Sequence, residues 1–392
     1  MTWVFWGGAA LVAYTYFGYA GWLWLRSRWY PTEIQRGPYS PSISFVMVVR
    51  DEEHTLPRKL ENLLTLDYPA DLTQLVIVSD GSSDRTDAIL REHASNPRIT
   101  VVLTQLSRGK ASGLNDALEL AQGEVVVFTD ARQRIEPCAL RLLLENFADP
   151  TIGCVSGELM LGDPETGQSG KALAAYWRVE KQVRQMESAA KSVVGATGAL
   201  YAIRQNLLVP LPEETILDDV YLPMHVVRQG FRVLFDSRAR AWDSADLDAQ
   251  REFGRKVRTL NGNYQLLQLA PWLLTSANPI RFEFISHKLF RLAAPFALIG
   301  ILFASAVLPG PFYRSALFLQ VIFYGSSTLA LLGLKRGPLA RMAEAAFAFV
   351  MLNTAAVIAF SNFIFGRKTL WDRQPPKAKM KTQPERRSVI GS

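Results

Sequence analysis

Val125-Val126-Val127-Phe128-Thr129-Asp130-Ala131-Arg132 is the stretch on which the fold turns. Four apolar residues followed by a threonine and an acid read as a buried strand with Asp130 at its carboxyl end. In open α/β sheets that edge is where ligands bind. The same residues would also serve as a turn or as the cap of a following helix. The stretches on either side decide between these readings.

Upstream, Ile43–Val49, Leu75–Ser79 and Ile99–Thr104 are further apolar runs of strand length. Between them lie segments of helical period. One follows Arg50-Asp51-Glu52-Glu53 and runs to about Leu66, with Leu56, Leu60, Leu63 and Leu64 on one face. A second runs from Arg85 to about His93, and a third from Arg108-Gly109-Lys110 through Ala121. Strands alternating with helices of this length predict βαβ units and a mostly parallel, Rossmann-like sheet. Downstream, the pattern predicts a helix from Pro137 to about Phe147 and a strand over Ile152–Leu161. A long amphipathic helix is expected over Lys171–Lys191, a small-residue strand or loop within Val193–Arg204, an acid-rich helix start at Asp218-Asp219, a strand over Phe231–Phe235 and a helix over Gln250–Gln268.

The chain of 392 residues is 49% hydrophobic, with nine Trp and 21 Phe, and the excess is concentrated. Thr2–Leu25, Leu292–Tyr313, Ser315–Leu334 and Ala345–Gly366 carry no charge, and each is long enough to cross a hydrocarbon core of about 30 Å as a helix. The first run has no basic residue ahead of it and is followed by Arg26 and Arg28, the pattern of a retained anchor with a cytoplasmic carboxyl side rather than of a signal peptide. The expected division is an anchor over 1–25, a linker over 26–42, a cytoplasmic α/β domain over 43–262, interfacial helices over 263–288, about three transmembrane helices over 289–366 and a basic tail over 367–392. This describes a multi-pass protein of the inner (plasma) membrane. One count conflicts: three later spans put the tail opposite the α/β domain, whereas its Lys and Arg favour the same side. Leu269–Ser286, with Trp272, is expected to be a helix lying on the membrane surface.

Two cysteines, Cys138 and Cys154, offer no disulfide framework, and four isolated histidines make no zinc pattern. The formal charge of +7 is read as membrane-surface charge facing lipid headgroups; no motif points to nucleic acid.

Acids recur after the strands: Asp51-Glu52-Glu53, Asp80 and Asp84, Asp130, and Asp218-Asp219. Carboxylates gathered at one sheet edge suit a divalent cation bridging substrate phosphates. Arg108-Gly109-Lys110 opens a helix, where both dipole and charge favour anions. Each piece alone has a plainer reading, as turn, solvated helix start or cap. Their placement on one edge is what points to a nucleoside diphosphate compound.

The order of these motifs resembles the membrane-embedded family 2 glycosyltransferases of GT-A fold, which include cellulose, hyaluronan and poly-N-acetylglucosamine synthases and ceramide glucosyltransferases. The resemblance runs from about Ser44 to Gly262. Val48-Val49-Arg50-Asp51-Glu52-Glu53 matches the first-strand motif, with Asp51 where Asn is usual. Asp80-Gly81-Ser82-Ser83-Asp84-Arg85-Thr86 matches the second, and Arg108-Gly109-Lys110, with Asn115 beyond, matches the lysine motif near the phosphates. The resemblance implies donor-nucleotide contacts from Glu52, Asp80, Lys110, Asp130 and Arg132, with Asp80 at the uracil or ribose. It implies Mg2+ or Mn2+ on Asp130 and catalysis by Asp219 with Asp218 and Arg258. Asp219 would take the proton of an acceptor hydroxyl in an inverting transfer. Separately, the small residues of Gly195–Ala199, with Thr197 and Gly198, would let an acceptor sugar approach the backbone, or let two backbones pack closely.

Two motifs depart from the family pattern. Asp130-Ala131-Arg132 has an arginine where a second acid is usual, and Arg132 would meet the diphosphate directly. Arg255-Lys256-Val257-Arg258-Thr259 keeps the Arg of Gln-x-x-Arg-Trp but lacks Gln and Trp. The implied activity is transfer from a nucleotide sugar, UDP-linked, to a growing polysaccharide. The alternatives are transfer of a single sugar to a membrane lipid, and a catalytically degenerate subunit that binds nucleotide or a partner synthase.

Overall fold

The computed structural model describes residues 1–162, 174–243, 249–331, 337–366 and 387–391. Two helices, α1 (Thr2–Ala13) and α2 (Tyr19–Trp29), open the chain and are joined by a π-helical turn, Tyr14–Gly18. The α/β domain then begins with β1 (Ile43–Val49), α3 (Leu56–Leu64), β2 (Thr73–Asp80), α4 (Thr86–His93), β3 (Ile99–Thr104), α5 (Lys110–Leu120) and β4 (Val125–Phe128). The opening stretch is therefore a strand, and its four apolar residues are buried. These strands lie in the order β3-β2-β1-β4, all parallel, with Val49 opposite Ser79 and Val46 opposite Phe128. The chain builds outward from β1 to β3 and then returns to place β4 on the other side of β1. That reversal makes a topological switch point, with a crevice at the carboxyl ends of β1 and β4.

The second half is mixed. β5 (Arg134–Ile135), α6 (Ala139–Leu144), β6 (Ile152–Leu161), α7 (Ala174–Ala190), β7 (Tyr201–Arg204), α8 (Asp218–Arg228) and β8 (Arg232–Asp243) follow. β7 runs antiparallel to both β4 and β6, β8 parallel to β6 and β5 antiparallel to β8. A mostly parallel sheet was expected; the nine-stranded sheet pairs half its neighbours antiparallel, because β5, β7 and the last strand, β9 (Arg387–Ile390), enter in reverse. β8 is also longer than Phe231–Phe235 and bends around a register shift opposite Ser156–Glu158.

Strand alternation sends Val46, Val76, Val78, Val102 and Val126 to one face, against α5 and α8. Phe45, Met47, Ile77, Val101 and Val127 go to the other, against α3, α4 and α6. Both faces are covered, which is why these strands read as continuous apolar runs. Each such side chain contributes roughly 1.5–3 kcal/mol by burial, so an acid at Val127 would unfold the layer. At Gly113 a Cβ would stand 2.8 Å from Val48 Cγ1; its absence lets α5 lie close on β1 and brings the helix start to the sheet edge.

The rest is helical: α9 (Ala249–Leu269), α10 (Arg281–Phe284), α11 (Phe290–Val307), α12 (Pro311–Leu331) and α13 (Pro338–Ile364). Leu269–Ser286 is not one helix. A 3-10 turn, Pro271–Leu274, is followed by a fresh helix start at Arg281 that continues through a π-helical turn, Ile285–Leu289, into α11. Pro271 and Pro279 bracket the break. Among the described residues, two helices are long and apolar enough to cross a membrane, Arg281–Val307 and Met342–Ile364. Residues 171–173 of the amphipathic helix, the Lys335 and Arg336 loop and the tail at 367–386, with Trp371, lie outside the described residues. The end of the tail forms β9.

A buried ionic joint ties the α/β domain to the apolar helices. His287 bonds Glu187 through Nδ1 at 2.7 Å and Glu180 through Nε2 at 3.1 Å, while Arg291 donates to Glu180 at 2.6 Å and Tyr19 to Glu187 at 2.6 Å. Burial works against ionisation of Glu180, yet Arg291 and His287 hold it well below the usual carboxylate range. A carboxylate thus faces each ring nitrogen of His287.

Candidate active site

At the carboxyl ends of β1 and β2 the acids bind the chain's own backbone. Asp80 is 2% exposed. Its carboxylate accepts from Ser107 Oγ at 2.7 Å and from the amides of Arg108 at 2.7 Å and Gly109 at 2.9 Å. It thereby shapes the loop that delivers Lys110. Gly109 sits at φ +92°, a conformation that L side chains rarely adopt, so the turn into α5 requires glycine. Asp51 accepts from the Ser83 amide at 2.6 Å and is itself at φ +53°, the sole non-glycine positive φ among the described residues. Asp84 accepts from the Glu53 amide and Glu53 from that of Arg85, both at 3.0 Å. Glu52 accepts a short hydrogen bond from Thr55 Oγ1, and its amide donates to Thr86 Oγ1 at 2.9 Å. Asp80 and Glu52, both expected at the donor nucleotide, thus have local partners, and the two loops clasp one another.

Across the switch point the acids surround one ammonium. Lys110, the first residue of α5, places Nζ 3.0 Å from Asp130 Oδ1 and 3.1 Å from Asp218 Oδ1. Burial works against its charge, but Asp130 and Asp218 outweigh it and raise its pKa. Asp218 is buried and also accepts from the Tyr201 hydroxyl at 3.1 Å. Asp219 accepts from the Gly198 amide at 3.2 Å, and its carbonyl accepts from the Ala196 amide at 2.6 Å. Burial, helped by Asp218, pushes the Asp219 carboxyl up to about 6 against the opposing pull of Lys110 and Lys288. Gly198 is the meeting point: a Cβ there would stand 3.4 Å from Asp130 Oδ2, 3.7 Å from Asp219 Oδ2 and 4.0 Å from Lys110 Nζ. Thr197, beside it, donates its amide to Ser156 Oγ at 3.1 Å.

Three supporting residues escape a sequence reading. Lys59 is 2% exposed and donates to Thr129 Oγ1 at 2.8 Å and to the Gln133 carbonyl at 2.7 Å, so it fastens both ends of the segment carrying Asp130 and Arg132. Burial pulls its pKa down to about 7 against the attraction of Asp130. Its one signal in the sequence is position: it falls on the same helical face as Leu56, Leu60 and Leu63, where a lysine is out of place. Tyr201 is fully buried and stacks on Phe128 with ring centroids 4.4 Å apart. Asp116 pairs with Arg108 and, at 3.3 Å, with Arg387 of β9; on the exposed-looking face of a helix it carries no signal.

Arg132 is exposed and has no hydrogen bond or ion pair among the described residues. Arg258 is half-buried on α9, one helical turn before Gly262, whose Cβ position is 2.6 Å from Leu217 Cγ. Residues four apart share a face, so Arg258 lies on the side of α9 that meets the start of α8. Gln265 of α9 accepts from the Ile216 amide at 2.9 Å and donates to the Glu214 carbonyl at 2.7 Å, securing the same segment.

No group of three or more His, Cys, Asp or Glu among the described residues could enclose a metal ion. A cation that arrives with a diphosphate needs less from the protein, since one or two carboxylates suffice when phosphate oxygens and water complete the shell. Asp130, 41% exposed at its side chain, offers one such carboxylate.

Residues 44–209 match the model for Glycosyl transferase family 2. The chain is 24% identical over 234 residues to the poly-beta-1,6-N-acetyl-D-glucosamine synthase of Staphylococcus epidermidis, covering 59% of this chain and 56% of that one. To the synthase of the same name from Staphylococcus aureus (strain COL) it is 23% identical over 229 residues, covering 57% and 55%. The chain thus matches little more than half the length of these relatives. Its fold is similar to that of a mannosyltransferase, PcManGT, from Pyrobaculum calidifontis, solved in complex with GDP-Man and Mn2+, with a TM-score of 0.71 and 23% identity over 92% of this chain and 99% of that one. The mixed sheet with its switch-point crevice has a GT-A-like fold like that of this neighbour, and residues 44–209 within it are the part similar to the Glycosyl transferase family 2 model.

Proposed function

We propose that the chain transfers a sugar, with inversion, from a nucleotide sugar to a growing polysaccharide at the cytoplasmic face of the membrane. The observation that carries this reading is the convergence of Asp130, Asp219 and Lys110 within 4.0 Å of one point beside Gly198. Asp219, with a pKa of about 6, is ionised yet basic enough near neutrality to take a proton from an acceptor hydroxyl, help worth roughly 10²–10⁴-fold. Lys110 and Arg132 meet the diphosphate, Arg258 assists as charge develops on it, and Thr197 with Gly198 leaves room for the acceptor. Asp80 and Glu52 act on the donor by shaping the loops around it. Mg2+ or Mn2+ held by Asp130 and the donor's phosphates would neutralise charge on the departing diphosphate. The synthase relatives favour a polymer product, and UDP as the carrier belongs to the same reading. Transfer of one sugar to a membrane lipid is the second reading, favoured by Thr259 where a Trp would hold a polymer and by Lys288, at the foot of α11, acting on Asp219.

The test is incubation of the full-length protein in nanodiscs with radiolabelled UDP-sugars and GDP-mannose, with and without Mg2+ or Mn2+. Insoluble or chromatographically large product supports the polymer, organic-extractable product the lipid acceptor, and no incorporation the degenerate subunit. Asp130→Ala should weaken donor binding; unchanged affinity with and without the cation removes Asp130 from the donor site.

A further inference from the structure

The apolar helices have a near end, at the α/β domain, and a far end. Tyr14 meets Phe290 with ring centroids 5.5 Å apart and Ser286 at 2.9 Å, one or two turns from the Glu180–His287–Arg291 joint, and this marks the near end. Phe5 packs with Ile301 and Ala304, so α11 runs outward antiparallel to α1. Phe5 also meets Phe312 and Tyr313, so α12 starts at the far end. Phe323 then packs on Phe349, which packs on Tyr16. From Phe5 to Tyr16 and from Phe312 to Phe323 the two helices advance by the same number of residues. α12 therefore returns to the near end, and at about 1.5 Å per residue its 21 residues span roughly 30 Å.

α13 does not repeat the journey. Its middle touches Tyr16 through Phe349 and Asn353. Its last turns meet Phe296 through Phe360, and Tyr264 of α9 through Phe360 and Phe363. All these partners lie within about two turns of the joint, whereas a helix crossing beside α11 would change level by about 20 Å between Phe349 and Phe363. β9 adds a separate constraint. It pairs with β3 over four residues, and Arg387 reaches Glu119 at 3.0 Å, so the chain after α13 is held on the α/β domain. A return to the same side requires an even number of crossings among α11, α12 and α13.

Resting on the reading that these helices meet a membrane, we infer that α13 lies in the leaflet on the catalytic side and does not cross, although its length and apolarity would allow it. Its faces fit that placement. Ala343, Ala346, Ala355 and Ala359 are fully enclosed against the protein, while Met342 and Ile364 are 51% and 58% exposed. An apolar outer face, at the level where charged side chains of α7 and α11 pair, fits acyl chains beneath headgroups. The conflict between a three-span count and the basic tail then disappears: α11 crosses, and α12, whose 21 residues are long enough although Arg314 makes it less apolar than α11 and α13, returns.

Single-cysteine variants of the full-length protein in proteoliposomes, labelled with a membrane-impermeant maleimide, test this. Cysteines at Leu339 and Ser388 should react from the same side as one at Glu92 on α4, and a cysteine at Pro309, between α11 and α12, from the opposite side. Leu339 or Ser388 reacting with Pro309 overturns the inference. Pro309 reacting with Glu92 instead overturns the membrane-crossing reading beneath it, so the two failures are distinct. Nitroxides at Met342 and Ile358 should report the same shallow depth, and a descent towards the bilayer midplane, or dipolar coupling between two copies in place of lipid contact, also overturns it.

Discussion

At the carboxyl ends of β1 and β2, Asp51, Asp80 and Asp84 each accept a backbone amide from a neighbouring loop. On the other side of β1, Asp130 and Asp218 share a lysine ammonium, and Asp219 lies beside them with a raised pKa. Both groups of acids sit at strand or helix ends on one sheet edge, and in the sequence they look alike. What separates them is supply of donors. The loops after β1 and β2 are tight, the second carrying Gly81, Ser82 and Ser83, and their amides converge on the carboxylates. The segments carrying Lys110, Asp130 and Asp218-Asp219 meet side by side from three distant parts of the chain, and carboxylate meets carboxylate. The first arrangement builds shape and the second stores reactivity.

That contrast can be broken most directly at Asp219. Asp219→Asn should lower kcat by roughly 10²–10⁴-fold, the value of general-base help, with donor affinity retained in a titration; a loss confined to a few-fold would put Asp219 among the structural acids. Next, Lys110→Met should lower kcat/KM by about 10²-fold, since it removes the cation facing the diphosphate. It should also move the pH dependence. In the proposed base role Asp219 acts ionised, so kcat/KM of the parent protein should fall below a pH of about 6, and loss of the lysine charge, which stabilises the carboxylate, should shift that limb to higher pH. An unmoved limb would separate Lys110 from the base. On the shape-building side, Asp80→Asn turns an acceptor towards two amide donors into a partial donor. A cost of about 1–3 kcal/mol for a buried unsatisfied group is expected, visible as a lower Tm and a higher KM for donor with kcat nearly kept. A large fall in kcat without thermal destabilisation would place Asp80 with the reactive acids. The smallest effect is expected at Gly198→Ala: its Cβ would make ordinary contacts with Asp130 and Asp219, so folding should be unaffected and acceptor KM should rise a few-fold. Unchanged acceptor kinetics would move the acceptor away from this loop.

The parallel half was legible because its signals are local. β1 and β3 fall where the apolar runs predict, since strands covered on both faces need no alternation. The mixed half was less so. β5 is two residues long and β9 follows a long basic stretch, and neither run predicts its partner. Antiparallel pairing by β7 turns the sheet from mostly parallel to mixed, and no residue within Tyr201–Arg204 encodes that direction. In the site, motif order points to Asp130, Lys110, Asp218 and Asp219 and the run of small residues to Gly198, and these lie together. Lys59 and Tyr201 were not, because a buried lysine and a buried tyrosine are recognised by what surrounds them. Leu269–Ser286 misled through its apolarity, which the two prolines interrupt.

β9 has a consequence for the handling of the protein. β3 is buried along its whole length, Ile99-Thr100-Val101-Val102-Leu103-Thr104, and β9 supplies the hydrogen bonds on its outer side. Shortening the chain before Arg387 would leave that apolar strand with a bare row of amides and carbonyls, the template on which other chains add. A truncated preparation should therefore be lost to self-association through the sheet edge before any change in the crevice is felt, while the opposite edge, closed by the two-residue β5, offers little to add to.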